Sequence, residues 1–188
     1  MIEEIDKILT EAETKMKASV EATQRELSTI RTGVANAAIL ANVTVEAYGT
    51  RLKLNEVATI STPEPRLLMV TPWDKSLVPQ VERAILTSDL GLTPTSDGAI
   101  IRIPIPALTE ERRKELARLV SKKVEEGKVA VRNVRREANE KLRALEKQHK
   151  IGEDDLKRAM DDVQELTDKH VEMLDEAQKA KQEEILQA

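Results

Sequence analysis

A chain of 188 residues with 34% charged and 40% hydrophobic residues can hold one domain of moderate size or two small ones. Phenylalanine is absent and Tyr48 and Trp73 are the only aromatic residues, so any core is built from Leu, Ile, Val, Ala and Met; this composition, rich in Glu, Lys, Arg and Ala, points to long helices. The lack of cysteine rules out disulfides and thiolate metal sites, and no apolar run approaches the roughly 20 residues of a membrane span. The opening MIEEIDKIL is acidic rather than signal-like, so a cytoplasmic protein with no membrane partner is expected.

The net charge of −4 conceals an uneven distribution. Residues 109–150 carry a net +6, while residues 151–188 carry −7, residues 1–30 carry −3 and residues 31–108 are neutral. One long segment is basic and its neighbour is acidic. Either these two segments pair and neutralise each other, or basic residues on a free face meet an anion elsewhere.

From Ile2 to Ile30, the residues Ile2, Ile5, Leu9, Ala12, Met16, Ser19, Thr23, Leu27 and Ile30 recur at spacings of three and four with no Gly or Pro between them. This predicts a long helix with one narrow buried stripe, which needs partner helices. The period changes at Arg31-Thr32-Gly33. Strands are expected over 43–48, 50–54, 57–61 and 66–73, with Gly49 turning a hairpin between the first two. Residues 78–89 read as a short amphipathic helix with Pro79 in its first turn, 91–98 as a loop, and 99–106 as a final strand stopped by Pro104 and Pro106. Residues 31–106 thus form an inserted β/α/β domain.

Helical period then returns. Thr109 is the expected N-cap, and a stripe of Leu116, Val120, Val124, Gly127, Val131, Val134, Ala138, Leu142 and Leu145 predicts an unbroken helix from Glu110 towards Lys150. Gly127 on that stripe implies close packing against another helix. Ile151-Gly152 is read as a tight turn, after which Leu156, Met160, Val163, Leu166, His170, Leu174 and Ala177 carry the stripe of a last helix. The expected fold class is α+β: an elongated three-helix bundle from residues 1–30 and 107–188, with the inserted domain attached through two crossings. Thr32 and Gly33 on one crossing and Pro104 and Pro106 on the other suit a two-stranded hinge; a fixed elbow is the alternative.

No phosphate-binding glycine loop, HExxH or GxSxG occurs. His149 and His170 stand apart, the first as a surface or cap residue, the second as a packed one. The acid pairs Asp154-Asp155 and Asp161-Asp162 fall on a solvated helix, so neither a metal site nor hydrolase chemistry is expected, and no cofactor is implied. Trp73 is read as a packing residue of the core or the domain seam, with a partner contact as the alternative. What remains is a row on the second long helix. Lys128, Arg132, Arg135, Arg136 and Arg143 lie beside the apolar stripe, and arginine forks suit phosphate. With so few aromatics, such a row would recognise the shape and backbone of folded RNA rather than stack its bases.

The segments IRTG (30–33), YGT (48–50), SDLGLTP (88–94), IRIPIPALTEERRKEL (101–116), VAVRNVRREAN (129–139) and EDD…DDVQELTD (153–168) resemble those of ribosome recycling factors, in the same order and over nearly the whole chain. The resemblance implies a non-enzymatic translation factor. With elongation factor G and the GTP hydrolysis of that partner, it would split the post-termination ribosome into subunits. Its bundle would lie on 23S-type rRNA of the large subunit, with no DNA partner, and it would act as a monomer. The resemblance implies RNA contacts at Arg132, Arg135 and Arg136, with Lys128 and Arg31 behind them, and hinge roles for Thr32, Gly33, Pro104 and Pro106. Such sequences commonly read IRTGRA, whereas Val34 follows Gly33 here, so one basic contact is lost. A coiled-coil scaffold or chaperone that grips protein partners is the competing reading of the same helices.

Overall fold

The structure, a computed structural model, describes residues 2–187, the side chain of Ile2 excepted. The stripe position Ile2 therefore lies outside the described side chains. The architecture is α+β, with long helices α1 (Ile2–Ser28), α3 (Glu110–Lys147) and α4 (Glu153–Gln187). The chain divides into two compact units, Met1–Arg31 with Lys114–Glu183, and Thr32–Arg113 with Glu184–Ala188.

The first unit is a three-helix bundle. At about 1.5 Å per residue, the 38-residue α3 runs for nearly 60 Å. It is continuous through Gly127, and glycine stands there for a steric reason: a Cβ would fall on Thr23 Oγ1 of α1 and come within 3.3 Å of Leu174 Cδ1 of α4. The three helices meet at this glycine. Leu116, Val120, Val124, Val131, Ala138 and Leu142 are buried as the α3 spacing requires, with Val134 half-buried. On α1 the buried set is Ala12, Met16, Val20, Thr23 and Leu27, so Val20 takes the place expected for Ser19. On α4, Ala159 and Thr167 are buried while Leu156, Met160 and Leu166 are only half-buried. Small residues there let the helices approach closely. Thr167 satisfies its hydroxyl by donating to Val163 O at 2.8 Å, and buried His170 places Nδ1 2.7 Å from Leu166 O.

Antiparallel pairing of α1 and α3 is fixed by Glu4–Lys150, Glu11–Lys141, Lys15–Glu137 and Glu26–Lys123, each between 3.4 and 3.6 Å. Such exposed pairs are each worth about 0–1 kcal/mol and set register more than stability. The turn from α3 to α4 is centred on His149, which adopts a left-handed φ of 58°. Its N–H donates to Glu146 O and that of Lys150 to Leu145 O, both at 2.9 Å, which is a Schellman closure. The turn expected at Ile151-Gly152 thus lies earlier, and Ile151 is buried.

In the second unit, β1 (Thr44–Ala47) and β2 (Thr50–Lys53) form a hairpin whose two-residue loop, Tyr48-Gly49, has φ of 54° and 77°. Two successive left-handed residues define a type I′ turn. A four-stranded antiparallel sheet follows in the order β3-β4-β6-β5, with β3 at Ala58–Glu64, β4 at Leu67–Pro72, β5 at Thr95–Ser96 and β6 at Ile101–Pro104. Helix α2 (Val78–Leu86) starts with Pro79 in its first turn and buries Val78, Val81 and Ile85. Leu68, Val70, Ile101 and Ile103 supply the sheet's share of this core. Pro63 is tolerated inside β3 because that strand is at the edge and bulges between Ser61 and Glu64. β5, in the region read as a loop, is only two residues long and exists through its pairing with Arg102 and Ile101.

Candidate nucleic-acid interface

The arginine row lies on α3, one residue round from the buried stripe, so burial of Val131, Ala138 and Leu142 fixes where it points. Arg132 and Arg136 are exposed. The Arg132 guanidinium stands 3.3 Å from Glu125 Oε1, two turns back on the same helix, with both side chains about half in solvent. An exposed pair of that kind exchanges readily for a phosphate. Arg136 Nη2 donates to Asn133 Oδ1 at 3.0 Å, a neutral acceptor that leaves the positive charge uncompensated. Arg143 continues the exposed edge towards the end of the helix.

Arg135 is half-buried and leans towards α4. Its Nη1 donates to Gln164 Oε1 at 3.4 Å, and Gln164 Nε2 donates to Asp168 Oδ1 at 2.8 Å. Gln164 and Asp168 therefore orient this guanidinium, a role that spacing along α3 did not reveal. The antiparallel register of α3 and α4 is the only signal that could have found them. Asn139, the next residue of the row, keeps its Oδ1 buried without a hydrogen-bond partner.

Lys128 is different from its assignment in the row. Its side chain is 17% exposed and ion-paired to Asp175 of α4. The ammonium is spent between the two helices, and the seam is its place. Arg31 is exposed just beyond α1. Extending the α1–α3 register puts it level with about residue 118, roughly 20 Å along the bundle from Arg132 at about 1.5 Å per residue. Arg31 does not join the row.

The remaining expected positions belong to the other unit. Thr32 is buried and its Oγ1 donates to Glu184 Oε2 at 3.3 Å, while Gly33 takes a left-handed φ of 77°. Pro104 is the last residue of β6, paired with Leu67. The Ile105 N–H donates to Arg66 O at 2.8 Å, and Ile105 is buried in the small core. Pro104 is thus anchored in the sheet, and only Pro106 of the two prolines lies beyond it, exposed. Trp73, expected to pack, is 65% exposed instead. Of the acid pairs, Asp155 is held by Arg158 at 2.9 Å and the others face solvent. Among the described residues no helix is long and apolar enough to cross a membrane.

The profile of the family described as "Ribosome recycling factor" matches residues 23–186. The chain belongs to the ribosome recycling factor family. Its curated relatives include the ribosome-recycling factor of Carboxydothermus hydrogenoformans, 52% identical over 182 residues that cover 97% of this chain and 98% of the relative. The ribosome-recycling factor of Bacillus subtilis is 53% identical over 180 residues, covering 96% and 97%. A solution structure of the ribosome recycling factor aligns over the whole of both chains with a TM-score of 0.75 and 42% identity. A second structure, of the T. thermophilus ribosome recycling factor and E. coli elongation factor G bound to the E. coli post-termination complex, gives a TM-score of 0.65 at 43% identity over 97% and 98% of the chains. Ribosome recycling factors thus share this arrangement of long helices and a small β unit along their full length.

Proposed function

We propose that this chain is a translation factor that recycles ribosomes after termination. Together with elongation factor G and the GTP hydrolysis of that partner, it dissociates the ribosome into subunits. It binds large-subunit rRNA through α3, with Arg132 and Arg136 as phosphate contacts and Arg135 positioned by Gln164. The observation that carries this reading is the outward edge of α3, where Arg132, Arg136 and Arg143 face solvent beside a largely buried stripe in an otherwise acidic chain. Its role is mechanical rather than chemical: the factor positions and splits, while the nucleotide chemistry belongs to its partner. Family membership supports the setting, and the post-termination complex of the T. thermophilus relative with elongation factor G supports the partner.

The test is binding to purified large ribosomal subunits across a salt series. Phosphate-driven binding weakens steeply with salt, and each arginine removed from the row should lower the log–log slope by about 1. Arg132→Ala and Arg136→Ala should do this while helical circular dichroism is unchanged. Lys128→Met should instead lower the melting temperature and leave the slope alone. Salt-insensitive binding would favour a scaffold that grips protein and overturn the RNA interface.

A further inference from the structure

The chain has two aromatic side chains and exposes both, Tyr48 by 71% and Trp73 by 65%. Burying either ring would stabilise the fold, so their placement on the surface of a small unit forgoes stability. Neither ring hangs freely. The Tyr48 hydroxyl donates to Asp74 Oδ2 at 2.8 Å, and Trp73 Nε1 donates to Thr59 Oγ1 at 2.8 Å. Tyr48 also occupies the first loop position of the β1–β2 turn at φ 54°, where Asn or Gly sits comfortably and a bulky residue is strained. Strain and exposure together at a fixed aromatic residue are costs without a return inside the fold.

Asp74 follows Trp73 in the chain and accepts a hydrogen bond from the Tyr48 hydroxyl. Its Oδ1 accepts from the Ser76 N–H at 3.0 Å and the Ser76 hydroxyl at 2.7 Å. These bonds and that from Tyr48 hold its carboxyl below the ordinary carboxylate range, so it is ionised at neutral pH. A fixed anion bonded to one exposed ring and next in the chain to another suits a guanidinium, which stacks on aromatic faces and donates to carboxylate. It repels a phosphate chain. We infer that the Tyr48–Asp74–Trp73 cluster is a docking point for an arginine presented by a protein partner. The inference rests on the recycling reading, because that partner would be met in the post-termination complex.

The test uses full-length Tyr48→Asn and Trp73→Ala variants in a subunit-splitting assay with purified post-termination ribosomes, elongation factor G and GTP. Tyr48→Asn relieves the turn, so its melting temperature should equal or exceed that of the wild type, and binding to large subunits should not change for either variant. Splitting should fall by about tenfold, the loss expected of one buried contact. With p-benzoylphenylalanine in place of Tyr48, irradiation of the same complex should cross-link an arginine-containing peptide of a protein. Wild-type splitting by both variants, or a cross-link confined to rRNA or absent altogether, overturns the docking point alone. A wild-type chain that does not split ribosomes overturns the proposed function, and the docking point with it.

Discussion

At the residue scale, the bundle depends on Gly127 having no side chain. In an open helix, Gly→Ala would stabilise by about 1 kcal/mol through backbone entropy. Here the new methyl meets Thr23 Oγ1, which is buried, β-branched and engaged with Ser19 O at 3.0 Å, so it has little room to turn aside. The clash should outweigh the propensity gain, and Gly127→Ala should destabilise the chain by about 1–3 kcal/mol in urea denaturation. The paired variant Gly127→Ala with Thr23→Ala removes the obstructing hydroxyl and should recover most of the loss. Additive effects of the two changes would show that the helices part at this point instead of colliding. The glycine's place on the apolar stripe was visible in the sequence; Thr23 as the atom it makes room for was not, because it lies 104 positions away.

At the element scale, long periodic runs were the legible part of the chain. The α3 stripe, its Thr109 cap, with the hydroxyl accepting the Arg112 N–H at 3.1 Å, and the His170 packing position all follow from spacing within one helix. Features decided by a partner element were not legible. β5 has two residues and no pattern of its own, and it is held by pairing with β6 and by the Ser96 hydroxyl, which donates to Glu82 Oε2 of α2 at 2.8 Å. The arginine row was readable as a row, but Asp175 and Gln164 on α4 decide which of its charges are free, and these lie 47 and 29 residues from Lys128 and Arg135. The α3–α4 turn shows the same limit. The sequence places the turn at Ile151-Gly152, yet the left-handed position is His149, fixed by the Schellman bonds of Lys150 and His149. A residue with a Cβ costs about 1 kcal/mol at such a site relative to glycine. His149→Gly should therefore raise the melting temperature of the bundle by several degrees, by about 1 kcal/mol in denaturant titration. A fall in stability would mean that the imidazole supplies a contact outweighing the backbone strain.

At the scale of the whole molecule, we propose that the two compact units move relative to one another about the chain that joins them when the factor acts. The polypeptide passes between the units at Arg31-Thr32, at Arg113-Lys114 within the first turn of α3, and at Glu183-Glu184 near the end of α4. On the outgoing side, Gly33 adopts a left-handed backbone that a residue with a Cβ would resist. On the return side, β6 and buried Ile105 are fixed in the sheet, and α3 starts at Glu110, so Pro106 to Thr109 is the stretch without regular structure. Bending is therefore expected at Thr32-Gly33 and at 106–109, and not at Pro104. Because the chain contains no cysteine, Arg51→Cys and Lys157→Cys give one unique label site in each unit, both at exposed positions. Spin labels there should report a broad distance distribution in the free chain that narrows on the ribosome, and Gly33→Ala should narrow it already in solution. The same single narrow distance in the free and bound states would establish a fixed elbow, and subunit splitting would then have to come from wedge-like insertion of a rigid body.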